Sequence, residues 1–531
     1  MSSATTPTIS VTDHHQSKME PVTVASKETE EKREQSRQDV QPARDVEKGG
    51  SSQHLANEEY EIVKWDDGEA ANPHNFSKAR KWMIVLIVCM GAVCATTCSS
   101  VVASTYQAVE DEFGISGEVA TLGVTLFIAG LGIGPLFLGP LSEFFGRAPI
   151  YRWSYLFFVL FNIPVALARN PETWLVGRFL SGVSGAAFLS VAGGSVSDLF
   201  YGPELSLPMS VYSGSPFLGP VIGPIIGGFI NEHTNWRWTW YVQIIWAAIE
   251  LVLLVFVVPE TYSPVLLKRK ARRLRKETGD DRIRAKLELE GKSIVKTVML
   301  SVTIPFKLVA SEPMALALNT WTSILLGILY MFFSAFPIVF SQHGFNLQEK
   351  GLTFLGIGLG IIVATSMNPL FTAQVARRNE RRYAHLPPGE HRPPPPPEEH
   401  LIKGLYGAVL CPLALFWFAF TTYPSVHWIV PIIASVPFGF GMVLAYSSTF
   451  TFLVDVYRPF AASAMASNSF MRSALAAAFP LFTTQMYHKL GTVWASALCA
   501  FLLVACAPFP FLFYFYGHRL RKSCKYGVKE E

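Results

Sequence analysis

The chain has 531 residues, half of them hydrophobic and only 16% charged, with a formal net charge of +4. That balance excludes an ordinary soluble globule and points to a polytopic membrane protein. The seven cysteines are an odd number lying mostly inside apolar stretches, so free thiols are expected.

In chain order, residues 1–77 are rich in Ser, Thr, Glu, Gln and Lys without apolar periodicity, which predicts a disordered, solvated tail and no cleavable leader. From Trp82 onward apolar stretches recur, each long enough to cross a hydrocarbon core of about 30 Å. The predicted spans are 82–105, 119–139, 153–168, 173–196, 207–230, 240–258, 314–338, 350–372, 402–422, 428–450, 461–486 and 492–516. The connection 259–313 is the longest break and divides them six and six. The expected fold is an all-α polytopic membrane protein with twelve transmembrane helices in two six-helix bundles, residues 78–258 and 314–516, followed by a basic tail over 517–531.

With both termini cytoplasmic, the basic residues left in outer loops are Arg169, Arg237, Lys350 and Lys489, so that orientation is expected. The run KRKARRLRK, 268–276, opens the central connection and reads as a topology determinant beside anionic lipid rather than a nucleic-acid site. A second cytoplasmic segment, 376–400, holds five consecutive prolines and predicts a stiff spacer. Neither a Walker loop nor an H-E-x-x-H spacing occurs, and the histidines lie in tails, loops or span edges. No ATP hydrolysis, metal, cofactor or catalytic residue is therefore expected.

Charges inside the spans are few, and those set back from the span ends are Arg178 in the fourth, Glu250 in the sixth and Arg472 in the eleventh. A central ionisable group costs roughly 2.5–3.5 kcal/mol on insertion scales, so each is a candidate functional residue. Each also has a structural alternative, such as Arg178 binding backbone carbonyls between helices. Asp198 and Asp455 end the fourth and tenth spans in similar settings, SDLFYGPELSLPMSVYS and VDVYRPFAASAMASNS, which reads as a weak repeat relating the two halves. The fifth span carries Gly219, Gly223 and Gly227 four apart on one face, beside a second stripe of Pro216, Pro220 and Pro224. Glycine permits close helix approach in a solvent where packing supplies the attraction. Each proline frees a carbonyl that protein or water must satisfy.

The loop GPLSEFFGRAPIYR, 139–152, resembles the signature of the major facilitator superfamily at Gly139, Leu141, Ser142, Glu143, Gly146 and Arg147, departing from it at Phe144 and Ala148. LVGRFLSGVSGAA at 175, GPVIGPIIGGFI at 219, PETY at 259, PEEHL at 397 and MASNSFMRSALAAAFPLF at 465 are similar to the fungal twelve-span drug:proton antiporters of that superfamily. The resemblance implies a proton-coupled antiporter that exports small amphipathic, drug-like or toxic molecules by alternating access. Same-fold alternatives are a transporter of polyamines or a nutrient, or a sensor that moves nothing. It further implies proton coupling through Arg178, with Glu250 expected to carry the proton as the acid well inside a span, and a gating cluster of Gly139, Glu143, Gly146, Arg147 and Asp198. An antiporter helix would be built on Gly219, Pro220, Gly223, Pro224, Gly227 and Gly228. An apolar, aromatic cavity is expected, with candidates Phe127, Tyr212, Asn319, Trp321, Tyr330, Asn368, Tyr446, Asn468 and Arg472. The expected partners are the small-molecule substrate, protons and the lipid bilayer, with no nucleic acid. A monomer in the plasma membrane is the expected setting, the vacuolar membrane being the alternative.

Overall fold

The computed structural model describes residues 60–66, 68–289, 293–384, 395–522 and 524–526. The spans are α1 (Lys78–Phe113), α2 (Gly117–Phe145), α3 (Arg147–Ala166), α4 (Pro171–Leu199), α5 (Ser206–His233) and α6 (Arg237–Phe256) in the first half. The second half holds α7 (Pro313–Ser341), α8 (Leu347–Arg382), α9 (Pro397–Phe420) and α10 (Ile429–Val456). The last apolar stretch, Ala461–Arg521, is two spans in sequence, because Gly491 sits at φ 78° and ψ 166° and breaks the helix. We label its parts α11 (461–490) and α12 (492–521). The twenty residues of α3 rise about 30 Å, enough to cross despite two terminal arginines.

Local signals explain several boundaries. Asn170 accepts the Thr173 N–H at 2.9 Å with Pro171 in the first turn, which starts α4. Asn346 and Glu349 form a reciprocal capping box that starts α8. The outer surface keeps large apolar side chains exposed, among them Trp153, Phe256, Leu370, Trp494 and Phe515. Water would not tolerate such a continuous apolar exterior, whereas hydrocarbon does. In α1 and α7, 89% and 83% of the most apolar window is buried, against 33% in α6. The paired helices α1 and α7 are thus central, as a repeat of two six-helix units requires.

The glycine face of α5 lies on α1. A Cβ on Gly219 would come within 2.6 Å of Thr97 N, on Gly223 within 2.8 Å of Val101 N, and on Gly227 within 2.8 Å of Ser104 Oγ. Nearly opposite, at roughly 100° per residue, α5 meets α8 of the other half. A Cβ on Gly358 would sit 2.8 Å from Val221 Cγ1, and one on Gly228 2.7 Å from the Leu347 carbonyl. The carbonyl freed by Pro216 is that of Tyr212, and Ser215 Oγ donates to it at 2.9 Å. The pair α2 and α11 makes the equivalent crossing contact, with Thr125 Oγ1 donating to the Ala477 carbonyl at 2.8 Å.

The halves also touch near both membrane faces. At the end remote from the central connection, Glu232 accepts the Leu347 N–H at 2.9 Å, His233 meets Gln348 at 3.2 Å and Gln485 donates to Glu118 at 2.6 Å. All of these are exposed. At the other end Asn368 donates to Ser210 at 3.0 Å in a buried contact. Phe306 of the connecting helix Ile294–Ser311 packs edge-on against Phe470, with centroids 4.8 Å apart.

The central connection is more ordered than its composition suggests. Its helix Ser263–Thr278 leads into β2 (Ile283–Arg284), which pairs in parallel with β1 (Glu61–Ile62) from ahead of the first span. Val63, Ala271, Ile283 and Ala285 form a small core beneath this ladder. Of the tail expected through residue 77, residues 1–59 lie outside the described residues, while Glu61–Ile62 and the turn Pro73–Asn75 have regular structure. The basic run supplies the reason: Lys270 pairs with Asp66 at 2.8 Å and Glu69 at 2.7 Å, and Arg275 with Glu288 at 2.9 Å. Much of its charge therefore meets acids of this chain. Within the proline spacer, residues 385–394 lie outside the described residues.

Candidate functional site

The loop between α2 and α3 turns at Gly146, whose φ of 98° and ψ of 169° suit glycine. A Cβ there would also run into the Glu260 carboxylate. That carboxylate accepts the N–H groups of Arg147 at 2.8 Å and Ala148 at 3.3 Å, closing the N-terminus of α3 with a negative charge where the helix dipole favours one. It also accepts the N–H groups of Thr261 at 3.0 Å and Tyr262 at 2.9 Å. The Arg147 guanidinium donates to Ser142 Oγ at 2.6 Å and to Asp198 at 3.3 Å, and lies 4.5 Å from the Tyr262 ring centroid. Arg147, Asp198 and Gly146 are thus brought together. Glu143 is exposed and has no ion pair among the described residues, and Gly139 has open space where a Cβ would be. Glu260 takes the place expected of Glu143; PETY was visible in the sequence, but nothing in it told where the acid would point.

The second half repeats the place, again with an acid at the end of its fourth span facing basic groups. Asp455 meets His400 at 3.4 Å and Arg458 at 4.0 Å. At the start of α9 it is Glu398 that accepts from Arg521 of α12, at 2.9 Å. In the first half the acid follows the sixth span; in the second it precedes the ninth.

Arg178 is completely buried in α4. Its Nε donates to the Gly123 carbonyl at 2.9 Å and Nη1 to the Cys98 carbonyl at 2.8 Å, so it ties α4 to α2 and α1. The rings of Phe127 and Trp240 cover the guanidinium at 4.3 and 4.8 Å, and Nη2 has no partner among the described residues. This is the carbonyl-bound arrangement, and it places Phe127 against Arg178. Glu250 is equally buried, beside Cys94 and Tyr155, and its Oε1 has no hydrogen-bond partner among the described residues. No ion pair joins it to Arg178 among the described residues.

The remaining candidates divide into two groups. Asn319 donates to Ser467 Oγ at 3.1 Å, and Asn468 donates to Asn319 Oδ1 and Thr322 Oγ1, both at 2.9 Å. These amides bind one another and lock α7 to α11. Trp321 is buried on the same helix beside Gly404. The tyrosines instead converge from both halves. Tyr330 donates to Ser99 Oγ at 2.7 Å, the serine proton going to the Thr96 carbonyl, Tyr212 donates to the Phe188 carbonyl at 3.3 Å, and the Tyr446 hydroxyl donates to the Thr322 carbonyl. Phe217 of α5 packs on Tyr446 with centroids 4.7 Å apart, and Arg472 lies 5.6 Å from the rings of both Tyr446 and Phe450. Sequence reasoning missed Lys403. Buried at the start of α9, it donates to Asn368 Oδ1 at 3.1 Å and Ser447 Oγ at 2.7 Å, and Asn368 reaches on to Ser210 of the first half. A lysine at the edge of an apolar stretch was the only signal, and it read as a span boundary.

Comparison with known proteins agrees with this architecture. Residues 88–480 match the family model described as Major Facilitator Superfamily. The efflux pump atB of Aspergillus terreus is 46% identical over 463 residues, covering 87% of this chain and 88% of that protein. The major facilitator superfamily multidrug transporter mdrA of Aspergillus fumigatus is 41% identical over 89% of this chain and 76% of its own. The probable drug/proton antiporter YHK8 of Saccharomyces cerevisiae is 39% identical over 85% of this chain and 87% of its own. Among solved structures, the proton:xylose symporter XylE bound to 6-bromo-6-deoxy-D-glucose superposes with a TM-score of 0.57 at 13% identity, over 83% of this chain and 97% of that one, a likeness of fold.

Proposed function

Because the chain belongs to the major facilitator superfamily, we infer that it is a proton-coupled antiporter exporting small amphipathic, drug-like or toxic molecules by alternating access. The observation that carries this reading is the double use of α5. One face is fused to α1 through glycines, and the other lies on α8 across the boundary between halves. A helix fixed on one side and sliding on the other is what rocking of two bundles requires.

In this reading residues 78–258 and 314–516 act as the moving bodies, and 259–313 joins them. Glu250, buried with no hydrogen-bond partner for its Oε1 among the described residues, carries the proton, while Arg178 ties α4 to α1 and α2. Arg147, Asp198 and Glu260 form the latch at the loop end. The distribution of Lys and Arg supports both termini in the cytoplasm, and the proposed setting is a monomeric exporter in the plasma membrane.

The test is flux. Purified protein in liposomes with an acid interior should accumulate an amphipathic dye, and a protonophore should abolish that accumulation. Uptake that ignores the gradient would overturn antiport. In the same vesicles Arg147→Ala should shift the balance of conformers, read as spin-label distances across the loop end. An unchanged balance would remove the latch.

A further inference from the structure

Resting on the export reading above, we propose that Arg472 receives the anionic head of the transported molecule, so that the preferred cargo is an amphipathic organic acid. Arg472 is half-buried in α11 and belongs to no ion pair or hydrogen bond among the described residues. Its Nε is fully buried and has no acceptor. The faces of Tyr446 and Phe450 attract its charge at 5.6 Å but give the buried Nε–H no acceptor among the described residues.

Three tyrosines lie close enough to feel that charge: Tyr212, Tyr330 and Tyr446, from α5, α7 and α10. Each hydroxyl is already engaged elsewhere: Tyr212 with backbone carbonyls, Tyr330 with Ser99 and Tyr446 with the Thr322 carbonyl. One turn earlier on the same helix, the Asn468 Oδ1 is likewise buried and unpartnered. Glu250, the acid well inside a span, lies beside Cys94 and Tyr155 and forms no ion pair with Arg472 among the described residues.

A guanidinium with an unfilled planar fork binds a carboxylate through two parallel hydrogen bonds, and the adjoining ring faces suit an aromatic or alkyl tail. The same charge repels a polyamine. An acid would also draw the two bundles onto one molecule, because the surrounding tyrosines come from both of them.

The experiment measures equilibrium binding of radiolabelled naphthoate, naphthamide and naphthylmethylammonium to purified full-length protein. Wild type should bind naphthoate about tenfold or more tighter than the other two. Arg472→Gln should erase that preference while leaving naphthamide within about twofold, and Arg472→Lys should retain part of it. Equal affinity for the three probes in wild type, or an equal loss for all three in Arg472→Gln, would overturn the assignment. Gradient-driven flux separates this from the export reading. Selective naphthoate binding without flux sinks export alone, whereas flux of neutral compounds with no preference for acids sinks the anion site alone.

Discussion

The guanidinium of Arg178 and the carboxyl of Glu250 look alike as intramembrane charges in sequence, yet their surroundings assign them different work. Arg178 fills two backbone carbonyls, so Arg178→Lys, lacking the planar fork, should lower stability by about 1–3 kcal/mol as those acceptors go unpaired. A lower melting temperature in detergent, accompanied by slower flux, is the expected reading. Glu250 makes no hydrogen bond through Oε1 among the described residues, so Glu250→Gln should leave the melting temperature little changed and substrate binding within about twofold of wild type while removing the dependence of flux on the pH gradient. Retained gradient-driven flux would take Glu250 out of the coupling path. The existence of both charges was legible in the sequence because the apolar alphabet around them is small. The partners of Arg178 were not: Gly123 and Cys98 are brought in by helices far apart in the chain, and a carbonyl acceptor leaves no side-chain signature.

Helix α5 could be read from spacing alone as a close-packing element, since glycines four apart must share a face. Which helix it meets was hidden, because the complementary surface of α1, Thr96 to Ser104, is merely small and polar. That contact makes a sharp contrast between two glycines. Gly223→Val would press side-chain atoms onto Ser100 Oγ and Val101 N and should cost about 1–3 kcal/mol through overpacking, with loss of flux. Gly139→Ala meets open space and should change stability by less than about 0.5 kcal/mol, measured by the same melting curves. Equal effects at the two sites would refute the assignment of the glycine face. The loop motif therefore contains one glycine, Gly146, required by backbone angle and by the Glu260 carboxylate, and another whose place in the helix tolerates a methyl group.

For the whole molecule, twelve spans in two halves followed from apolar run lengths, although the eleventh and twelfth are continuous except at Gly491. The ladder of Glu61–Ile62 on Ile283–Arg284 was not legible, because two residues per strand carry no period and the joining ion pairs bridge over two hundred positions. Its pH response follows from its charges. Hydrogen bonding to Arg275 holds the Glu288 carboxyl below its usual range, so it stabilises the unit above about pH 4 and that contribution disappears as pH falls through the folded value. Bonds to Asp66 and Glu69 raise Lys270, whose contribution is complete below about pH 10 and is lost as pH rises through its folded value. Hydrogen exchange at the Glu61 and Val63 amides, corrected for intrinsic rates, should thus show protection through neutral pH that fails in acid. Glu288→Gln should remove the acid edge.

The two sets of contacts between the halves, exposed at one membrane face and buried at the other, make an airlock whose doors carry unequal bolts. Solvent-facing polar pairs contribute about 0–1 kcal/mol each, while a satisfied buried network holds more firmly. An idle carrier should therefore open at the door of Glu118 and Gln485 before that of Ser210 and Asn368. Spin labels straddling the first pair should report a broader separation than labels straddling the second, and the reverse ordering would refute the unequal bolts.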